Sequence, residues 1–497
     1  MFQTPKELNG MMLQAFQWEL PSDGRHWSLL HKNARMLKRL GFTAVWLPPA
    51  CKGAAGANDV GYGVYDLYDL GEFDQKGSVA TKYGTAGEYR SCVSALRRAG
   101  LLVLADIVLN QRLGADELEH VSVRPVDPEN RSAAPGEARE ADVYTRFTFP
   151  GRKGCYSRFV WDHRCFTGVD YAAQDRSHSI FLLNGKQWAD DVDAERGNFD
   201  YLMGADVDVQ NPEVKQELIR WGLWFLKKSG ADAFRLDAVK HISASFLAEW
   251  LTALRRQTGK ELFAVGEYWN YDLSALEAYL ARTGSCMSLF DVPLHAHLAQ
   301  ASRSGGAYDM RNLFAGTLTD ARPELSVTFV DNHDTQPGQA LESWVDGWFK
   351  PAAYAFILLG RSGFPCVFWG DLYGIPSRGI GAVPQLPFLM RLRRTGAFGE
   401  EHRFFDDADI VGFTREGDTA VPGSGLAFLC TDARGGEKRM YIGSRFAEQV
   451  FRCDIGGRPP VVIDRDGCGV FSVADGSISV YTPVPKFWTR IWRFLHR

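Results

Sequence analysis

The sequence predicts an α/β protein: a closed (β/α)8 TIM barrel with a domain inserted after the third strand and an antiparallel β-sandwich at the C-terminal end. Three observations carry this. A phrase of amphipathic helix, glycine and short apolar strand returns along the chain. Eight candidate strands can be counted. Two regions break the rhythm, one after the third strand and one after the eighth.

The phrase is plainest in "NPEVKQELIRWGLWFLKKSG" followed by "ADAFRLD". Asn211 suits a helix N-cap and Pro212 the first helical position. Val214, Leu218, Trp221 and Phe225 recur at helical spacing and form one apolar face. Lys227 and Lys228 complement the dipole of the last turn, and Gly230 can take the left-handed conformation that ends the helix. The same arrangement appears in "WSLLHKNARMLKRLG" before "FTAVWLPP", in "EYRSCVSALRRAG" before "LLVLADIVLN", and in "SFLAEWLTALRRQTG" before "KELFAVGEYW".

Helices alternating with nearly continuous apolar strands imply a parallel sheet covered by helices. The strands begin near Met12, Thr43, Leu101, Ala231, Leu262, Ser288, Ser326 and Cys366. Eight units favour a closed barrel over an open sheet. No glycine-rich phosphate loop follows the first strand, which also weighs against a dinucleotide fold.

The breaks in rhythm divide the chain. Residues 1–110 form the first part of the barrel, 111–210 an inserted domain and 211–399 the rest of the barrel. Residues 400–483 alternate and turn as an antiparallel β-domain, and 484–497 form a tail.

Composition narrows the function class. The chain has 497 residues, 45% apolar and 23% charged, the profile of a soluble globular protein. A net charge of -4 provides no footprint for nucleic acid. Aromatic residues make up 13%, which suits either a large core or flat stacking surfaces. The N-terminus lacks a basic start followed by an apolar stretch, and nine scattered cysteines suggest reduced thiols, so a cytoplasmic location is expected. Cys155 and Cys165 could pair across a loop, but the reduced state is the stronger reading.

In such a barrel, chemistry gathers at the carboxyl ends of the strands. Strand three ends in Asp106 and Asn110, strand four in Arg235 and Asp237, strand five in Glu267, and strand seven in Asp331, His333 and Asp334. Any one of these reads as a salt bridge or cap. Together they put several carboxylates, one Arg and one His at one mouth, an arrangement that separates pKa values. Glycosidic cleavage needs this: one carboxylate attacks while one carboxylic acid protonates the leaving oxygen. Arg235, two residues from Asp237 on the same strand face, is expected to keep it ionised. Glu267, flanked by Tyr268 and Trp269, is expected to be held partly protonated by apolar surroundings.

The stretches "DVGYGVYDLYDLGEFDQKG", "DIVLN", "NFDYLMGADVD", "FRLDAVKHI", "VGEYW" and "FVDNHDTQPGQ" resemble the α-amylase family of retaining glycoside hydrolases, in particular its liquefying bacterial branch with intracellular members. The likeness runs from about Asn9 to Tyr481. It implies Asp237 as nucleophile, Glu267 as acid/base and Asp334 as stabiliser of the distorted sugar. Arg235, His333, Tyr62 and Trp269 would line the subsites, with Lys240 and His241 on the leaving-group side. The substrate would be an α-1,4-glucan, cut internally with retention, which needs carboxyl groups roughly 5 Å apart.

Two departures matter. Gln111 stands where the family usually has His, which implies weaker transition-state binding. The matches to the family's structural calcium ligands are Asn110, Asp200, Asp206 and the carbonyl of His241, and oxygen ligands suit Ca²⁺. The positions that would hold further metals are the neutral Thr167, Ala189 and Gln210, so one Ca²⁺ is expected. A transglycosylase or maltooligosaccharide-forming relative, and a weakly active or non-catalytic glucan-binding protein, are the alternatives.

Three features stand apart. His295 and His297 share a strand face in "VPLHAHL" and read as buried packing residues before metal ligands. Asp162, His163 and Cys165 are too few for a zinc site. In the tail, Lys486, Arg490, Arg493 and Arg497 share one helical face and Trp488, Ile491, Trp492 and Leu495 another. This pattern suits peripheral contact with an anionic membrane or docking on protein. The chain is expected to be a monomer.

Overall fold

A computed structural model describes residues 9–485 and residue 487. The amphipathic pattern expected of the tail therefore falls outside the described residues, Phe487 excepted.

Eight parallel strands close into a barrel: β1 (Met12–Gln14), β2 (Ala44–Leu47), β3 (Leu102–Ile107), β4 (Ala233–Leu236), β5 (Phe263–Gly266), β6 (Ser288–Phe290), β7 (Ser326–Phe329) and β8 (Phe364–Phe368). Closure is direct: β1 pairs with β2 through Met12–Ala44 and with β8 through Met12–Cys366. All eight strands start within two residues of the places expected. Every residue of β2, β4, β5 and β7 is buried, as a sheet lined inside and covered outside requires.

The helix Pro212–Ser229 forms as its ends dictate. The Asn211 side chain accepts from the Glu213 N–H, and Gly230 closes the helix at φ 75°. Val214, Leu218, Trp221 and Phe225 are buried against the barrel. Thr85 and Glu88 make a reciprocal capping box on the helix Ala86–Arg98.

Between β3 and β4 lies a four-stranded antiparallel sheet in the order Arg139–Arg146, Glu117–Pro125, Ser177–Leu183, Gly168–Ala172. A two-stranded ladder, Gln111–Arg112 with Ala205–Asp206, ties both ends of the excursion together beside the barrel mouth. After the barrel, six strands from Glu401–Phe404 to Ile478–Pro483 form an antiparallel sheet, with the hairpin Gly436–Tyr441 and Cys468–Val473 beside it. Leu429, Met440, Phe451 and Phe471 are buried in a shared core.

The "VPLHAHL" segment is helical, which corrects the strand-face reading. Asp291 caps the helix Val292–Arg303 and Pro293 opens it. Residues two apart on a helix face different ways, so His295 is fully buried while His297 is half-buried. His295 bonds the Val330 carbonyl through Nδ1 (2.7 Å) and the Ser343 hydroxyl through Nε2 (2.8 Å), a packing role. All nine cysteines are free thiols. Among the described residues no helix is long and apolar enough to cross a membrane.

His295 gives a pH prediction. Burial lowers its pKa from 6.5 to about 4. The unfolded chain therefore binds a proton that the fold refuses, and the His295 contribution is lost as pH falls from 6.5 towards 4. The stability advantage of the parent over His295→Gln should shrink by on the order of 3 kcal/mol between pH 7.5 and 4. Denaturant unfolding at a series of pH values measures it.

Candidate active site

Arg235 is the hub of the barrel mouth. It is 1% exposed, and its side chain shares a barrel face with Asp106, its Cα partner across the β3–β4 ladder. Nη1 donates to Asp106 Oδ1 (2.8 Å) and Asp237 Oδ1 (2.6 Å), and Nη2 donates to Glu267 Oε2 (2.5 Å). One guanidinium thus aligns three carboxylates from three strand ends. Asp106 is fixed further by the Trp46 indole N–H and the Tyr62 hydroxyl, each at 2.9 Å.

Among the described residues, neither Asp237 Oδ2 nor Glu267 Oε1 has a hydrogen-bond partner. Each carboxylate is therefore anchored by one oxygen and presents the other. Ala238 takes the left-handed conformation, φ 48° and ψ 40°, unusual for a residue with a Cβ. This aims its N–H at Glu267 Oε2 (3.2 Å). The cost is about 1 kcal/mol, and the return is a second donor on that carboxylate.

Asp334 joins from the loop after β7. A quarter of its side chain remains open (24%), while His333 beside it is fully buried. His333 Nδ1 meets the Gln14 amide at 2.9 Å. Its Nε2 lies 3.1 Å from Asp334 Oδ2 but out of line for a hydrogen bond. The His333 ring stacks on Tyr62 (5.1 Å, 13°), and Tyr62 stacks on Trp18 (5.9 Å, 3°). Tyr62 and Trp18 are both half-buried, leaving an aromatic wall beside the acids.

The site revises two expectations. Burial raises the Asp237 pKa to about 7; Arg235 pulls the other way, and Glu267 and Asp106 add to the rise. Arg235 does not hold Asp237 at an ordinary carboxylate value, because burial outweighs its pull and the neighbouring acids add to the rise. Asp334 is raised by burial and by Glu267, and His333 is held neutral by burial and by Arg235. Glu267, in turn, does not sit in an apolar pocket. Its carboxylate meets Arg235 and Ala238, while Tyr268 turns away to donate to Asp193 Oδ2 (2.5 Å). Asp331 is also absent from the mouth: it pairs with buried Lys350 at 2.9 Å.

The remaining expected residues line the rim. Lys240 Nζ donates to Glu195 Oε2 (2.7 Å) and the Trp269 carbonyl (2.9 Å). His241 Nδ1 meets the Phe199 carbonyl at 2.7 Å, its pKa lowered by burial to about 3. Trp269 is half-buried. Gln111 donates through Nε2 to the Tyr62 carbonyl (3.0 Å), while its buried Oε1 lacks a partner. Its one donor that the structure engages is thus spent on backbone.

Asn110, Asp200 and Asp206 lie buried where the inserted sheet meets the barrel. Asp200 accepts from the Ala189 N–H (2.9 Å) and Asp206 from the Thr167 hydroxyl. Burial raises the pKa of both, Asp200 to about 7, and Asp200 adds to the rise at Asp206. The Asn110 amide nitrogen is buried without a partner. A buried pair of acids with no ion-paired base among the described residues suits a cation. Asp162 and His163 instead pair with Arg164 and Glu119, away from Cys165 as a joint ligand set.

Residues 32–382 match the family model described as alpha amylase, catalytic domain. The chain belongs to the alpha-amylase family. It is a glycoside hydrolase. It is 50% identical over 479 residues to the alpha-amylase of Geobacillus stearothermophilus, covering 96% of this chain and 87% of that one. Identity to the alpha-amylase of Bacillus licheniformis is 48% over 479 residues, 95% of this chain and 93% of that one. Identity to the cytoplasmic alpha-amylase of Escherichia coli (strain K12) is 41% over 489 residues, 95% and 98%. Among solved structures, an Anoxybacillus alpha-amylase superposes with a TM-score of 0.65 at 17% identity, covering 97% of this chain and 98% of that one, a likeness of fold.

Trp18, Gln14 and the Ala238 N–H are site components that sequence reasoning left out of the site, whereas Asp106 was visible as a strand-end acid. Nothing in the residue identity of Ala238 signals its left-handed backbone.

Proposed function

We propose that this alpha-amylase family member hydrolyses internal α-1,4-glucosidic bonds of starch, glycogen or maltodextrins with retention of configuration. The observation that supports this most is the Arg235 guanidinium, which anchors Asp237 and Glu267 by one oxygen each. In this reading Asp237 Oδ2 attacks the anomeric carbon as the bond to the leaving oxygen breaks, and Glu267 gives that oxygen its proton. The product is a glycosyl ester on Asp237. Glu267, now a base, takes a proton from water as the water attacks the same carbon and frees Asp237. Two inversions give retention.

Asp334 and neutral His333 position the ring's hydroxyls, Tyr62 stacks on it, and Lys240 and Trp269 lie on the leaving-group side. Gln111 contacts the sugar beside the cut with a side chain that is already committed to backbone. The 111–210 insertion supplies Glu195 and Phe199 to this wall. Incubation with a defined maltooligosaccharide, followed by NMR, is expected to show the α-anomer first. Initial β-anomer would overturn the mechanism.

One structural Ca²⁺ is proposed on Asn110, Asp200, Asp206 and the His241 carbonyl. When bound it supplies positive charge that offsets the buried acids and joins the inserted sheet to the barrel beside Lys240. Ligand linkage at 100 to 1,000 times Kd is worth about 3–4 kcal/mol. Chelation should therefore lower Tm by roughly 3–4 °C, restored by added Ca²⁺. Asp206→Asn should melt at the same temperature with and without chelator. A cytoplasmic location and a monomeric state complete the proposal; fractionation and sedimentation would test them.

A further inference from the structure

The loop after β7 carries His333 and Asp334 to the mouth. No hydrogen bond among the described residues fixes the Asp334 carboxylate, which meets His333 out of line. Its place is therefore set by its backbone. That backbone is clamped. The Asn332 side-chain oxygen accepts from the N–H groups of Asp334 (2.8 Å) and Thr335 (2.9 Å), and the Thr335 hydroxyl accepts from the Asn332 N–H (2.9 Å). The same hydroxyl donates to Asp331 Oδ1 (2.8 Å). His333 and Asp334 are thus the tip of a loop closed on Asp331.

Lys350 is the feature that packing does not explain. It is the first residue of the helix Lys350–Leu359 and is 2% exposed. A cation at a helix N-terminus opposes the dipole, and a buried one also loses its water. Two buried acids offset these costs. Lys350 Nζ meets Asp331 Oδ2 at 2.9 Å and donates to Asp371 Oδ1, in the short helix Trp369–Tyr373 that follows β8. Asp371 Oδ2 accepts from the Tyr354 hydroxyl (2.7 Å), and Asp331 Oδ2 from the Val345 N–H (3.2 Å). As a source of stability alone, buried ions do no better than apolar side chains of the same volume. What this triad adds is a tie: the ammonium joins the loop that bears Asp334 to the end of β8 and to the helix before it.

We propose that Lys350 is a positioning residue for Asp334. Held between Asp371 and Asp331, it fixes the clamp of Asp331, Asn332 and Thr335, and through it the backbone from which the Asp334 carboxylate reaches the sugar ring. The inference rests on the hydrolytic reading, in which Asp334 contacts that ring. Lys350 itself touches no substrate. A displaced Asp334 costs most where the ring is distorted, in the transition state, so the loss falls on turnover ahead of binding.

The test follows maltooligosaccharide hydrolysis by the full chain, well below Tm. Lys350→Met keeps the volume and removes the charge: kcat should fall about 10- to 100-fold while KM changes by less than about threefold. In an Asp334→Asn background the same substitution should cost less than about threefold, because the residue it positions is already lost. Thr335→Val cuts the clamp at the loop end and leaves Lys350 paired, so it carries the same cycle if Lys350→Met does not fold. It should lower kcat about tenfold, and Thr335→Ser, which keeps the hydroxyl, should restore it. A merely structural role gives lower melting with parental kcat, or losses that multiply whether or not Asp334 is present; either result overturns the proposal. A parent that leaves the substrate intact would instead refute the hydrolase reading, so the two failures are distinct.

Discussion

Asp237→Asn is expected to lower hydrolysis of maltooligosaccharide by about 10⁴-fold or more, the scale seen when a covalent nucleophile is removed. The amide keeps the shape and can still meet Arg235 through its oxygen, but it cannot form the glycosyl ester. At about 10⁴ the loss corresponds to roughly 5.5 kcal/mol of transition-state stabilisation. The same variant should not unfold more easily. Asp237 has its pKa raised to about 7 by burial and by neighbouring acids. A raised folded value means that the fold prefers the protonated form, so ionisation costs stability as pH climbs from the ordinary carboxylate range towards 7. Asn carries no such cost. Tm of the variant should approach that of the parent near pH 4 and exceed it by a few degrees at pH 8. Glucan binding should persist. Activity and calorimetry on one preparation check both halves; a variant that melts far below the parent would show that Asp237 is structural.

The barrel was legible because its signals are local and repeated. The cap at Asn211, the apolar face through Phe225 and the stop at Gly230 each act within a few residues, and the helix obeys all three. The strand-end acids were legible for the same reason, since a period of two puts Arg235 and Asp237 on one face. The sequence is less informative where the outcome depends on distant partners. Whether Asp331 joins the catalytic acids depends on Lys350, the first residue of the next helix, which pairs with it instead. The setting of Glu267 depends on the hand of Ala238 and on Tyr268 finding Asp193, neither of which spacing reveals. His295 went astray because a short apolar run after a strand reads as strand until Pro293 and the Asp291 cap are weighed. Proton affinities were least legible of all. The pairing of Arg235 with Asp237 was evident, but the number of acids competing for the same guanidinium emerges only in three dimensions.

That competition gives Arg235 the second largest expected effect. In Arg235→Gln the site keeps its acids and loses the charge that opposes their mutual repulsion. Removing one partner of a buried ion pair costs about 3–5 kcal/mol, and here three carboxylates are anchored by the one group. The free oxygens of Asp237 and Glu267 would no longer be held in position, so kcat should fall by about 10²–10³-fold or more. The pH dependence separates electrostatics from packing. Arg235 lowers the proton affinity of Asp106, Asp237 and Asp334, against the larger effect of burial. Without it their pKa values rise further, the fold takes up protons over a wider range, and the stability deficit should be smaller at pH 5 than at pH 8. Arg235→Lys tests the geometry. An ammonium restores the charge and much of the thermal stability, yet it cannot bridge Asp237 and Glu267 as a planar fork does. Stability should recover ahead of kcat; equal recovery of both would mean that charge alone, and not the fork, organises the site.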